Sequence, residues 1–239
     1  MVMADILRNA DLFGVGSYTI HEAARLLRTP AINISRWMRG YSYRRKGQVF
    51  ASPPLWQIQW PTVEGSQVEI GFRDLIELRF VKAFTEAGVG LLAIRNCLEF
   101  ARELVRDDHP FSTRRFRTDG KTIFLDSARQ ASNGSDRELL DLKQRQYVFT
   151  QVIERTFKDL DVDADAVARW RPFNGKNSIV IDPNRSFGQP IAAESGVPTI
   201  VLAQAVEAEG SQERVARLFE VSLAAVKDAV RFESTLGMA

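Results

Sequence analysis

The sequence is poor in the residues that usually ligate metals or attack substrates, with one cysteine and two histidines among 239 residues. A single cysteine excludes an internal disulfide. Cys97 lies in an apolar helical pattern with Leu91, Leu92, Ile94 and Leu98, which marks a buried thiol in a reducing compartment. His21 and His109 stand far apart with no ligand-spaced cysteine nearby, so no metal site is expected. No phosphate-cradling glycine loop and no nucleophile elbow occurs. The expectation is therefore a chain with no catalytic residues and no cofactor. Long apolar runs are missing as well, and nothing approaches the ~18 residues of a membrane span. Residues 1–13 carry Asp5, Arg8 and Asp11 without a continuous apolar stretch, which does not fit a secretory leader. A cytoplasmic location is expected.

Four alternating aspartates, Asp159, Asp161, Asp163 and Asp165, invite a calcium-loop reading. A loop begun at Asp161 puts Ala166 where glycine must turn the chain and Pro172 where a bidentate glutamate is needed. Begun at Asp159, it puts Ala164 and Trp170 in those places. Both frames fail, which leaves a solvated acidic turn or helix start.

Charge is more informative by position than in total. The net charge is +2, yet residues 1–60 hold eight Lys/Arg (Arg8, Arg25, Arg28, Arg36, Arg39, Arg44, Arg45, Lys46) against Asp5, Asp11 and Glu22. That local excess of five leaves −3 for the remainder. A basic N-terminal face is the electrostatic footprint of a polyanion-binding module.

The same region has a legible pattern. Thr19 and Glu22 have capping-box spacing, and Ile20, Ala23, Ala24 and Leu27 recur on one helical face. Thr29-Pro30 stops that helix. A second helix follows at about 33–39 with Ile34, Trp37 and Met38 inward, and Gly40 ends it. Residues 41–72 read as extended pieces broken by Lys46-Gly47, Ser52-Pro53-Pro54 and Glu64-Gly65-Ser66. Helices are predicted at 72–87, with Phe72, Leu75, Ile76, Phe80 and Phe84 on one face, and at 91–106. Asp119-Gly120, between 111–116 and 122–125, predicts a hairpin. The polar stretch 127–136 reads as a domain linker. Residues 147–153 fit a strand, or 147–157 a helix; 167–170 and 178–182 fit strands, and helices close the chain at 199–208, 212–219 and 223–232.

Two short helices, a brief turn and basic extended segments make the pattern of a winged helix-turn-helix over 18–40. The second helix of such a unit enters the major groove. Asn33, Ser35, Arg36 and Arg39 are its candidate readers, since arginine suits bidentate contact to guanine and asparagine to adenine. Tyr43, Arg44, Arg45 and Lys46, in a flexible extended segment, are candidate phosphate contacts that position without specifying. A helical hairpin with merely solvated arginines is the alternative. A second helix-turn-helix geometry occurs near the C-terminus, with Ser222 capping the last helix and Ala216, Phe219, Val221 and Val226 packing. Its last helix, Leu223-Ala-Ala-Val-Lys-Asp-Ala-Val230, has almost no base-reading chemistry and points to protein–protein packing or ordinary core.

Residues 17–106 resemble the N-terminal domain of MerR-type regulators. The resemblance rests on Tyr18-Thr-Ile-x-Glu-Ala-Ala-Arg-Leu-Leu, on Ser35-Arg-Trp-Met-Arg-Gly40, and on the helix pair from Phe72-Arg-Asp-Leu-Ile-Glu-Leu-Arg to Ile94-Arg95. The long aromatic stretch with Trp56 and Trp60 beside Pro53, Pro54 and Pro61 departs from that pattern, and a long dimerising coiled coil is lacking. Residues 178–233 resemble tri-helical domains of antitoxin type encoded beside PIN-like ribonucleases, through Asp182-Pro183, Gly188-x-Pro190 and Val197-Pro198. Where many relatives carry Thr-Arg, this chain has Ser195-Gly196. The combination resembles VapB-type antitoxins of the 45 subclass of mycobacterial toxin–antitoxin pairs.

The resemblance implies an antitoxin that represses its own operon and binds a PIN-domain ribonuclease toxin. The fold class expected is α+β and mostly helical. Its parts are a MerR-like winged helix-turn-helix domain over 1–126, a linker and connecting segment over 127–177, and a tri-helical domain over 178–239. A homodimer on palindromic operator DNA is expected. The competing reading is a MerR-type transcriptional regulator whose central and C-terminal parts bind a small ligand, with Phe50, Trp56 and Trp60 helping to line the pocket.

Overall fold

The computed structural model describes residues 15–60, 68–131 and 136–237, with the backbone alone described at 45, 131 and 136–145. The N-terminal stretch 1–13, the Glu64-Gly65-Ser66 turn and the Asn133-Gly134-Ser135 turn lie outside the described residues. What is described is a mixed α/β chain that opens with a helix-turn-helix.

A short strand, β1 (Tyr18–Thr19), leads into α1 (Ile20–Leu27) and α2 (Ala31–Arg39). The capping box forms as the spacing requires: the Glu22 amide donates to Thr19 Oγ1 at 3.2 Å and the Thr19 amide donates to Glu22 Oε2 at 2.7 Å. Strands β2 (Tyr41–Arg45) and β3 (Gln48–Ser52) form a hairpin, and β4 (Glu69–Ile70) returns to pair with β1. Two long helices follow, α3 (Phe72–Glu86) and α4 (Leu91–Val105).

Residues 111–125 are not the predicted hairpin. Helix α5 (Arg114–Ala131) runs straight through Asp119 and Gly120. The reason is a stripe at helical spacing: Phe116, Gly120, Ile123, Phe124 and Ser127 are all buried on one side. The stretch 127–136 is helical through Ala131 and again from Asp136, where α6 (Asp136–Phe157) begins. Residues 147–157 thus resolve as helix.

Strands β5 (Leu160–Asp163), β6 (Ala166–Trp170), β7 (Ile179–Ile181) and β8 (Pro190–Ala192) form an antiparallel meander. Helices α7 (Thr199–Glu209), α8 (Gln212–Leu218) and α9 (Leu223–Gly237) close the chain, with the Ser222 hydroxyl accepting from the Ala225 amide at 3.1 Å.

Helix α3 is the axis of the main core, which reaches in sequence from Tyr18 to Ile181. Phenylalanines dominate it. Phe149 stacks on Phe84 at 3.9 Å and on Phe124 at 4.0 Å, and Phe80 meets Phe111, Phe116 and Phe157 at 5.0–5.9 Å. A smaller cluster (Leu202, Val215, Val226, Ala229) holds α7–α9 together, and a third joins Phe173, Ile179, Phe232 and Leu236 to Leu26 of α1. Among the described residues, no helix is long and apolar enough to cross a membrane.

Candidate nucleic-acid interface

Helix α2 buries Ile34, Trp37 and Met38 and thereby turns the opposite face outward. That outward face is Ile32, Ser35, Arg36 and Arg39, at i, i+3, i+4 and i+7. Arg36 and Arg39 are exposed and Ser35 is half-buried. Ile32, the apolar member of this row, is 57% exposed. Asn33, the remaining sequence-predicted reader, is half-buried and sits one residue round the helix from this stripe. Thr19, His21, Ala31, Ile32, Ser35 and Arg39 line a groove along the outer side of the two helices.

The segment after α2 is a paired strand, not the loose extended segment expected. Tyr43 faces Phe50 across the hairpin, Arg44 faces Val49, and Arg45 faces Gln48. Lys46 and Gly47 turn it with φ of 50° and 80°, the left-handed pair that a two-residue I′-type turn requires. Arg44 and Lys46 are exposed, as are Val49 and Phe50; the Arg45 side chain lies outside the described residues. No acidic residue occurs between Glu22 and Glu64, so α2 and the hairpin carry only cationic or neutral side chains.

An aromatic ladder ties the hairpin to α2. The Arg36 guanidinium lies over the Tyr41 ring at 5.4 Å; Tyr41 meets Tyr43 at 5.9 Å, and Tyr43 stacks on Phe50 at 5.5 Å. Gly40 makes the joint: a Cβ there would lie 2.4 Å from the Ser52 carbonyl oxygen, so only glycine lets strand and helix meet this closely. Below the hairpin, Arg95 of α4 donates to the Pro53 carbonyl at 3.0 Å and Arg102 donates to the Leu55 carbonyl at 3.1 Å.

The tryptophans proposed for a ligand pocket are committed elsewhere. Trp56 is buried and its indole N–H donates to Asp74 Oδ1 at 2.7 Å, while Trp60 donates to the Gly16 carbonyl at 2.8 Å. Phe50 belongs to the aromatic ladder, so the three side chains do not gather in one place. Two of the alternating aspartates are likewise spent in ion pairs, Asp159 with Arg79 at 2.5 Å and Asp161 with Arg171, and Asp163 accepts from the Ala164 amide at 2.8 Å. They sit on or beside a strand hairpin because β5 and β6 pair across Asp163 and Ala166. Among the described residues, no group of three His, Cys, Asp or Glu is arranged to hold a metal ion.

Sequence reasoning missed Ile32, because only polar side chains were sought on the outer face. Its signal was present in the spacing to Ser35, Arg36 and Arg39. It also missed Arg95 and Arg102, whose partners lie more than forty residues away in sequence, between Ser52 and Leu55.

The helix-turn-helix lies within the part of the chain that a known family model covers. Residues 16–98 match a family model described as "Putative DNA-binding HTH domain". The chain is 28% identical over 227 residues to a protein of Mycobacterium tuberculosis named "Putative antitoxin VapB45", covering 91% of this chain and 94% of that one. The crystal structure of Rv2018 from Mycobacterium tuberculosis superimposes with a TM-score of 0.67 at 23% identity, covering 89% of this chain and 96% of that one. That last likeness is one of fold.

Proposed function

We propose that this chain is an antitoxin of a type II toxin–antitoxin pair that represses its own operon through α1, α2 and the β2–β3 hairpin. The observation that carries DNA binding is the outer stripe of α2, which presents Ser35, Arg36 and Arg39 beside an acid-free hairpin. In this reading α2 lies in the major groove with Arg36 and Arg39 toward guanine edges, and Asn33 and Ser35 at the flank. The hairpin is the wing of a MerR-like unit, and Tyr43, Arg44, Arg45 and Lys46 hold phosphates. The tri-helical part over 178–239 binds and neutralises a PIN-domain ribonuclease toxin. The chain acts as a homodimer on a palindromic operator. Similarity along nearly the whole length to a protein named as an antitoxin supports the toxin-binding half of the proposal.

Two measurements test it. Arg36→Ala is expected to weaken binding to the DNA upstream of its own coding sequence by about 1–3 kcal/mol and to relax preference at one position. Arg44→Ala is expected to weaken all sequences alike and to reduce the salt slope by about one. Unchanged affinity in both variants refutes this reading surface. For the toxin half, a neighbouring PIN-domain ribonuclease co-expressed with the chain should co-purify with it and lose activity; a free, active nuclease rejects that half.

A further inference from the structure

We propose that Ile32 reads the 5-methyl group of a thymine in the major groove, and so sets sequence preference alongside Arg36 and Arg39. This rests on the reading of α2 as the major-groove helix.

The case starts from where one exposed apolar side chain stands. A large aliphatic side chain 57% exposed on a short helix gives up burial that every other large apolar residue of α2 achieves: Ile34, Trp37 and Met38 are all buried. Ile32 is not stray surface, because it starts the outward row completed by Ser35, Arg36 and Arg39. It stands in the first turn of α2, the part of a recognition helix that reaches base edges.

With the proposed toxin surface placed over 178–239, two kinds of occupant remain for such a group, a second copy of this chain or a polyanion. In a two-fold contact centred on this face the stripe would meet itself, bringing Arg36 and Arg39 against their own copies, with no acid on α2 or the hairpin to offset them. Charge therefore selects the polyanion. Within the major groove, adenine, guanine and cytosine present polar donors and acceptors, and thymine alone adds a methyl group. Ile32 has no donor or acceptor on its side chain. The thymine methyl is the one group in that groove whose contact with isoleucine removes apolar surface from water on both sides.

Uracil tests this, since deoxyuridine differs from thymidine only by that methyl. A duplex is selected from a random pool by the full-length chain, and each thymine in its major-groove footprint is replaced singly by uracil. The wild-type chain is expected to lose about fourfold in affinity at one position, the equivalent of one buried methylene-sized group. Ile32→Ala is expected to bind the thymine duplex more weakly by a similar factor and to be indifferent to uracil at that same position. Ile32→Val should retain part of the discrimination. Because the side chain is exposed, the thermal midpoints of both variants should match that of the wild-type chain. The proposal is overturned if every uracil is neutral to the wild-type chain, if Ile32→Ala keeps the full uracil penalty, or if the selected site has no thymine beneath the helix. Failure to enrich any duplex would overturn the DNA-reading proposal itself, and this inference with it.

Discussion

Two buried carboxyl groups one turn apart on α3 have opposite environments. Asp74 is fully buried, and its side chain is saturated: Trp56 Nε1 and His109 Nε2 lie 2.7 and 2.8 Å from Oδ1, and the amides of Gln59 and Gly71 both donate to Oδ2 at 2.9 Å. These bonds compensate the desolvation that makes a buried polar group costly, and they lock the 55–60 loop beneath the hairpin. Glu77 is equally buried, but the Ser112 amide fills only Oε1, at 2.8 Å, and Oε2 has no hydrogen-bond partner among the described residues. Burial pushes the Glu77 carboxyl up to about 7, against the opposing pulls of His109, the Ser112 amide and Arg73. Between the unfolded value of about 4.3 and the folded one, the folded state binds the extra proton. Stability should therefore fall as pH rises through that window and level off above it, by on the order of 4 kcal/mol at most. Glu77→Gln, which cannot ionise, is expected to flatten this slope in urea midpoints measured from pH 5 to 8; an unaltered slope would show that another group carries it. Neither carboxyl was legible in the sequence. The Phe72, Leu75, Ile76, Phe80, Phe84 stripe was, but a single apolar stripe places charged neighbours in solvent by default. Only packing on all sides of α3 buries them.

At the scale of elements, most of what was readable was local. The Thr19–Glu22 cap, the proline stop and the inward set Ile34, Trp37, Met38 are written within a few residues of where they act, and α1 and α2 form as expected. Helix α5 shows how local chemistry misleads. Asp-Gly is a strong turn signal, yet Gly120 sits in mid-helix because α6 crosses there: a Cβ would lie 2.7 Å from Ile153 Cδ1. The 3.6-residue stripe from Phe116 to Ser127 was present and outweighs the dipeptide. Gly40 carries the opposite lesson, a glycine whose local reading as a helix end was sound and whose tertiary role was invisible. It has φ of 73°, and an added Cβ would strike the backbone of Ser52 and Pro53, which cannot swing aside as a side-chain tip could. Gly40→Ala is expected to cost about 1–3 kcal/mol of stability through backbone strain. It should also weaken DNA binding without removing any contact group, by tilting the hairpin off the Arg36–Tyr41 stack. Parallel denaturation and titration would check this; lost stability with intact DNA affinity would mean that hairpin and α2 act independently.

Over the described molecule, the first helix and the last helix meet. Helix α9 lies against α1, with Arg25 and Glu233 paired at 2.5 Å, Arg28 donating to Thr235 at 2.9 Å, and Leu26 packed on Phe232 and Leu236. The Tyr18 hydroxyl donates to the Gly188 carbonyl at 2.7 Å, and the Ser17 amide donates to the Phe187 carbonyl at 3.1 Å. Contacts across some 170 to 208 residues leave no trace in local periodicity, which is why the helix-turn-helix and the C-terminal part read as separate in sequence. Magnitudes decide which contact holds them. Arg25 is about half exposed, so its pair with Glu233 is expected to contribute roughly 0.2–1 kcal/mol. Phe232 is only 1% exposed among Phe173, Ile179, Leu236 and Leu26, and it bridges the two helices. Phe232→Ala is therefore expected to cost about 3–5 kcal/mol, and Arg25→Ala only a small fraction of that. If α9 braces the helix-turn-helix, Phe232→Ala should also speed hydrogen exchange at the amides of α1, far from the substitution in sequence. Exchange in α1 at the wild-type rate, with faster exchange confined to α7–α9, would show that the two ends unfold separately and that the DNA-reading helices stand without the C-terminal helix.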